Sequence, residues 1–179
     1  MKSTLMQVLV TGAILAGSAA AGVSQSSLPL PDRAVAKNVQ QQFLKYENYT
    51  MFDEVSFQIR AGQITLSGSV TEPFKKSDIE KIAAKVPGVQ GVTDHIQVLP
   101  FSDADNALRR KIAMAFDNDP SLSRYEQAAH PSIHVVVDQG QTTLVGVVRS
   151  QHDKDDAALV SQYAGSAAIT NSLQVVPSL

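Results

Sequence analysis

The chain has 179 residues, 44% of them hydrophobic and 18% charged, with ten Gly, eight Pro, no Trp and no Cys. That composition excludes a collagenous, disordered or disulfide-stapled protein, and the lack of Cys also excludes a thiol nucleophile, Cys-ligated zinc and a lipid-modified N-terminal cysteine. A formal charge of −2 offers no global field to draw the chain to nucleic acid.

Lys2 is the only charged residue before Asp32, and it precedes the apolar stretch Leu5 to Ala16, which gives way to Ser18-Ala19-Ala20-Ala21. A basic start, a short apolar segment and small residues predict a secretory signal peptide over 1–21, cleaved after Ala21. A stretch of twelve residues falls short of the roughly 20 that span a bilayer, which argues against a membrane anchor. Residues 22–31 are then a short N-terminal extension. The expected location is the periplasm if the source is Gram-negative, and otherwise outside the cell.

Beyond that extension the chain is one unit written twice. Gly62-Gln63-Ile64-Thr65-Leu66-Ser67-Gly68-Ser69-Val70 is echoed by Gly140-Gln141-Thr142-Thr143-Leu144-Val145-Gly146-Val147-Val148, at a constant offset of 78. Val92, Asp94, Ile96 and Val98 match Ile169, Asn171, Leu173 and Val175 with one residue lost. Val39 and Phe43 match Ile112 and Phe116 with five residues gained, which are expected in a loop between Asp117 and Pro131. The predicted organisation is a first domain over 32–99, a linker over 100–102 and a second domain over 103–176.

Each copy reads as helix, strand, strand, helix, strand. Asp32 is the expected N-cap of a helix carrying Val35, Val39 and Phe43, and Ser102 or Asp103 caps its counterpart. Val55, Phe57 and Ile59 alternate with polar residues, as do Ile64, Leu66, Gly68 and Val70 beyond the turn Arg60-Ala61-Gly62, so each copy holds a hairpin. Gly68 and Gly146 stand in phase with core-facing residues, where a missing side chain lets another backbone or a helix come close. Gly62 and Gly140 supply the turns. The second helix of copy one begins at Pro73 and carries Ile79, Ile82, Ala83 and Val86 on one stripe. Copy two offers Ala157, Leu159, Val160 and Tyr163. The expected fold is α+β: two tandem αββαβ modules, each a three-stranded mixed sheet with two helices packed on one face.

The glycines Gly62 and Gly68, the helix with Ile79 and Ala83, Val86-Pro87-Gly88-Val89, and the strand Val92, Asp94, Ile96, Val98 resemble the BON domain of bacterial osmotic-stress and nodulation proteins. Gly140, Gly146, Val148, Ala157, Ile169, Asn171, Leu173 and Val175 carry the same resemblance in copy two. It implies an envelope protein that binds phospholipid surfaces or other envelope proteins, with no catalytic chemistry. Gly165-Ser166-Ala167-Ala168 departs from the Gly-Val pair that the family favours at that point.

The candidate lipid-binding residues are Lys75, Lys76, Lys81 and Lys85, beside Phe74, on the second helix of copy one. Each contributes about 1 kcal/mol near an anionic bilayer. Asp78 and Glu80 interleave with them, as on a solvated helix face with local ion pairs. The matching helix of copy two starts with His152, Asp153, Lys154, Asp155 and Asp156, acidic at the positive end of its dipole and unsuited to lipid.

His130 and His134 share a strand face at most and lack further ligands for a metal. Asp117 and Asp119 read as turn formers. No nucleophile elbow, phosphate loop or metalloprotease motif occurs. Gly88-Val89-Gln90-Gly91 matches the GXXG of an RNA-binding module but leads into a strand. The expectation is a protein that is not an enzyme, holds no cofactor or metal, binds no nucleic acid, and has either an anionic phospholipid surface or another envelope protein as partner.

Overall fold

The computed structural model describes residues 30–126 and 131–177; the predicted signal peptide and His130 lie outside that range. The first module runs α1 (Leu30–Phe43), β1 (Glu54–Arg60), β2 (Gln63–Val70), α2 (Pro73–Ala84), β3 (Gly91–Val98). The second runs α3 (Asp103–Asn118), a short α4 (Ser123–Glu126), β4 (Ile133–Asp138), β5 (Gln141–Val148), α5 (Gln151–Tyr163), β6 (Ala168–Val175). Each is the expected αββαβ unit. The sheets have the orders β1-β2-β3 and β4-β5-β6, antiparallel across the hairpin and parallel across the helical crossover. One helical turn, α4, occupies the stretch between Asp117 and Pro131 that the sequence assigns to a loop.

Alternation on the strands decides which face meets the helices. Val55, Phe57 and Ile59 of β1 and Ile64, Leu66 and Val70 of β2 are buried with Val39 and Phe43 of α1 and Ile79 and Ala83 of α2. Val135, Val137, Leu144 and Val148 are buried in the same way with Ile112, Phe116, Ala157 and Leu173. Gly68 and Gly146 face Val55 and Ile133 across the ladder at φ +121° and +126°. A Cβ there would stand 2.1 Å from the Glu54 carbonyl oxygen or 2.0 Å from that of Ser132. The close neighbour is therefore the adjacent strand's own backbone.

Two details of the elements, the place of Asp32 and the buried stripe of α5, differ from the sequence reading. Asp32 lies inside the first turn of α1, and its carboxylate accepts hydrogen bonds from the Ala61 and Gly62 amides at 2.8 and 3.0 Å. Asp105 does the same for Gln139 and Gly140 at 3.0 and 2.8 Å. Both turns hold two successive residues at positive φ, so their amides converge on one acceptor. Of the two caps expected for α3, Ser102 is the one that serves, accepting from the Asp105 amide at 3.2 Å. On α5 the buried stripe is Asp153, Ala157 and Ser161, while Leu159 and Tyr163 face solvent. The reason is angular: they stand about 200° and 240° around the helix from Ala157 at 100° per residue.

Candidate functional site

The first turn of α2 is a closed polar lock. Lys75 is only 6% exposed and lies four residues before Ile79, on the apolar stripe itself. Its Nζ meets the fully buried Asp53 at 2.7 Å and donates to the Thr71 hydroxyl at 2.9 Å. Asp53 also accepts from the amides and hydroxyls of both Thr50 and Thr71. Burial raises the Asp53 carboxyl, but the Lys75 ammonium and these hydroxyls and amides together outweigh it and hold the group below the usual carboxylate value. Lys75 is thus removed from the lipid-binding candidates. Lys76 is restrained as well: its Nζ donates to the Ile96 carbonyl at 2.5 Å and lies 3.8 Å from Asp94.

Phe74, Lys81 and Lys85 behave differently. Positions i, i+7 and i+11 fall within about 40° of one another on a helix, so the three form one stripe about 16 Å long. It lies on the side away from Lys75, Ile79 and Ala83. Phe74 is 50% exposed, and Lys81 and Lys85 are exposed. Asp78 shares the stripe, and its carboxylate accepts from the Tyr46 hydroxyl at 3.0 Å. The structure therefore brings together three of the five candidate residues.

The matching stripe on α5 has inverted chemistry. His152 and Asp156 pair at 3.1 Å near its start, and Leu159 (47% exposed) and Tyr163 (83%) stand where α2 has Lys81 and Lys85. Leu159 also borders a groove of about 410 Å³ between α5 and the β6 entry, with Ala158, Gln162 and Ile169.

The modules meet along β1 and β4. The Val135 amide donates to the Met51 carbonyl at 2.7 Å, and the Met51 side chain is buried in the second module's core. His134 packs its ring against Tyr49 at 5.5 Å, in the field of Asp53 and beside the backbone of Asp53 and Thr50. Its Nδ1 is buried with no partner among the described residues. Burial lowers the imidazole to about 4. Beside this junction a polar groove of about 380 Å³ runs between Ser69 and Gln97 of one module and Val136, Gln139 and Thr143 of the other. The sequence reading missed the lock and the junction; a lysine four residues ahead of Ile79 was the available signal for the first.

Comparison with known proteins agrees with this architecture. The model of the BON domain matches residues 31–100 and again 104–177. Among solved structures, CdsD, a structural protein of the type III secretion system of Chlamydia trachomatis, aligns with 81% of this chain and 94% of its own, at 14% identity and a TM-score of 0.28. The CdsD C-terminal domain aligns with 87% of this chain and 100% of its own, at 16% identity and a TM-score of 0.26. At such scores neither bears on function. No curated protein matches the chain. Two family matches that together span most of the sequence, each on a complete αββαβ unit, show that the chain belongs to the BON domain family.

Proposed function

We propose that the protein is a non-enzymatic envelope component that makes weak contact with anionic phospholipid through α2 of its first module. The supporting observation is the single outward stripe of Phe74, Lys81 and Lys85. Two lysines near an anionic surface contribute about 2 kcal/mol. Completing the burial of a half-exposed Phe adds about 1 to 1.5 kcal/mol. A sum of about 3 to 4 kcal/mol corresponds to a millimolar-class contact, which becomes useful when the surface is abundant. Salt weakens it, because both charges are exposed.

Vesicle co-sedimentation at low salt tests this reading. Binding to anionic but not neutral vesicles is expected, reduced by added salt and lost when Lys81 and Lys85 are both replaced by Glu. Equal binding to both vesicle types, or none to either, overturns it. The polar groove beside the β1–β4 junction favours a second reading, in which another envelope protein docks there. Its test is capture from envelope extracts that fails when Gln97 and Gln139 are changed to Lys.

A further inference from the structure

β6 ends the second sheet, and among the described residues no strand pairs with its outer side. The Val176 amide donates to the Val148 carbonyl at 2.7 Å, and backbone groups alternate in direction along a strand. The even-numbered residues of β6 therefore bond to β5, and Ile169, Asn171 and Leu173 turn their N–H and C=O groups outward. The Leu173 amide follows this pattern, since it donates to the Asn171 side chain at 3.2 Å and not to β5. Beside this edge lies the groove of about 410 Å³, walled by Ala158, Leu159 and Gln162 of α5 and by Ala168 and Ile169 of β6. Asp155 is exposed at its rim, and the hydrogen bond it accepts from the Gln151 side-chain amide at 2.8 Å comes from a neutral group, which leaves its charge uncompensated.

The first module shows the same edge closed. On β3 the outward N–H of Ile96 donates to Asp94 at 2.7 Å, and its C=O accepts from Lys76. Where the groove has Ala158 and Leu159, α2 presents Glu80 and Lys81, both exposed. Charged side chains thus protect β3 and its flank against pairing. β6 instead keeps the backbone groups of Ile169 and Asn171 without side-chain partners among the described residues, next to an apolar wall. We infer that β6 takes an added strand: an extended segment of another polypeptide bonds to the Ile169 and Asn171 backbone, places an apolar side chain between Leu159 and Ile169, and offers a basic one to Asp155. Extended backbone is the ligand that matches outward N–H and C=O groups repeating every second residue. Its side chains alternate with the same period, so every other one enters the groove. Neither the lipid-facing stripe of α2 nor the groove at the β1–β4 junction is involved.

The probes are two capped heptapeptides in which Thr alternates with two Val and one Lys. The Lys takes the first groove-facing position in one peptide and the last in the other, so that either strand direction is served. Titration into the isotope-labelled full chain, followed by NMR, is expected to shift the Ile169 and Asn171 amides and to slow their hydrogen exchange with at least one of the peptides. Ala158→Glu combined with Leu159→Lys installs the first module's residues and is expected to weaken binding about tenfold or more, with unchanged circular dichroism confirming the fold. Methylating the peptide amides that face β6 removes the strand bonds while keeping every side chain, and is expected to abolish binding. No shift with either peptide overturns the proposal, as does undiminished binding by the methylated peptide or by the doubly substituted chain. Equal shifts at Val92 and Asp94 of β3 would overturn the assignment to β6. Shifts at Ile169 and Asn171 on raising the protein concentration without peptide would give the edge to a second copy and overturn it as well.

Discussion

The first turn of the second helix holds a buried charged group in both modules, with opposite sign. In the first, Lys75 points inward and meets Asp53. In the second, the same position is Asp153, which accepts from Arg124 at 2.6 Å and from the Tyr125 hydroxyl at 2.7 Å. The Tyr125 hydroxyl in turn accepts from the Arg149 amide at 2.8 Å, where the first module has Thr71. The fold therefore demands a polar tie between the helix start and the chain entering the first strand, and leaves its polarity free. The inserted α4 supplies Arg124 and Tyr125, so the extra residues of copy two carry the partners that its inverted lock needs. The two locks differ in what they leave behind when broken. Asp53 is wholly buried, whereas the Arg124 side chain is 44% exposed.

The largest expected effect is one that the modules share. Gly68→Ala and Gly146→Ala each force a Cβ into a carbonyl oxygen at a positive φ, and each is expected to destabilise by about 4 kcal/mol or more in chemical denaturation. A clear inequality between them would show that the strands do not approach equally. Next comes the contrast between the locks. Lys75→Met strands a buried carboxylate and should cost about 3 to 5 kcal/mol. Asp153→Asn leaves a hydroxyl and a half-solvated guanidinium, and about 1 to 2 kcal/mol is expected. Equal losses would mean that burial of the abandoned group does not set the cost.

The pH dependence comes next, and its two opposed groups both lie in the second module. His134 titrates near 4 in the folded chain against 6.5 ordinarily, so the unfolded chain takes up the proton first. Its contribution is complete above about pH 6.5 and is lost as the pH falls to about 4, up to about 3 kcal/mol. Glu126, raised to about 7 by burial and then by Asp117, works the other way, its cost relieved as the pH falls below 7. Asp53 and Asp153, both held low, withdraw their support only below the ordinary carboxylate value. Denaturation midpoints between pH 7 and 4 should therefore show a shallower acid decline in His134→Gln than in the parent chain, and an unchanged slope would break this assignment. The smallest effect on stability is the stripe transplant Lys81→Leu with Lys85→Tyr, within about 0.5 kcal/mol, which nonetheless should abolish binding to anionic vesicles.

Periodicity and duplication made the architecture legible. Two hairpins with Gly turns at a constant offset, each followed by an apolar helical stripe, leave few ways to pack, and the structure follows them. Side-chain pairing was less visible. Asp53 and Lys75 lie 22 residues apart and have no periodic relation, so only the place of Lys75 on the Ile79 stripe hints at burial. Leu159 and Tyr163 misled the reading of α5, because hydrophobicity alone placed them inward while Ser161, which satisfies its hydroxyl on the Ala157 carbonyl, occupies the core. The candidate site was legible in residue type and only partly in geometry: Phe74, Lys81 and Lys85 remain together, whereas Lys75 turns in and Lys76 is tied down.

Met51 belongs by sequence to the first module and by packing to the second. The second module's core is therefore incomplete without a residue that precedes the strands of the first, and His134 relies on Tyr49 and Thr50 for its cover. A cut at the sequence boundary would leave an open socket in one half and a dangling methionine on the other. Although the chain is a duplication, it should melt in one cooperative transition, as if it were a single domain.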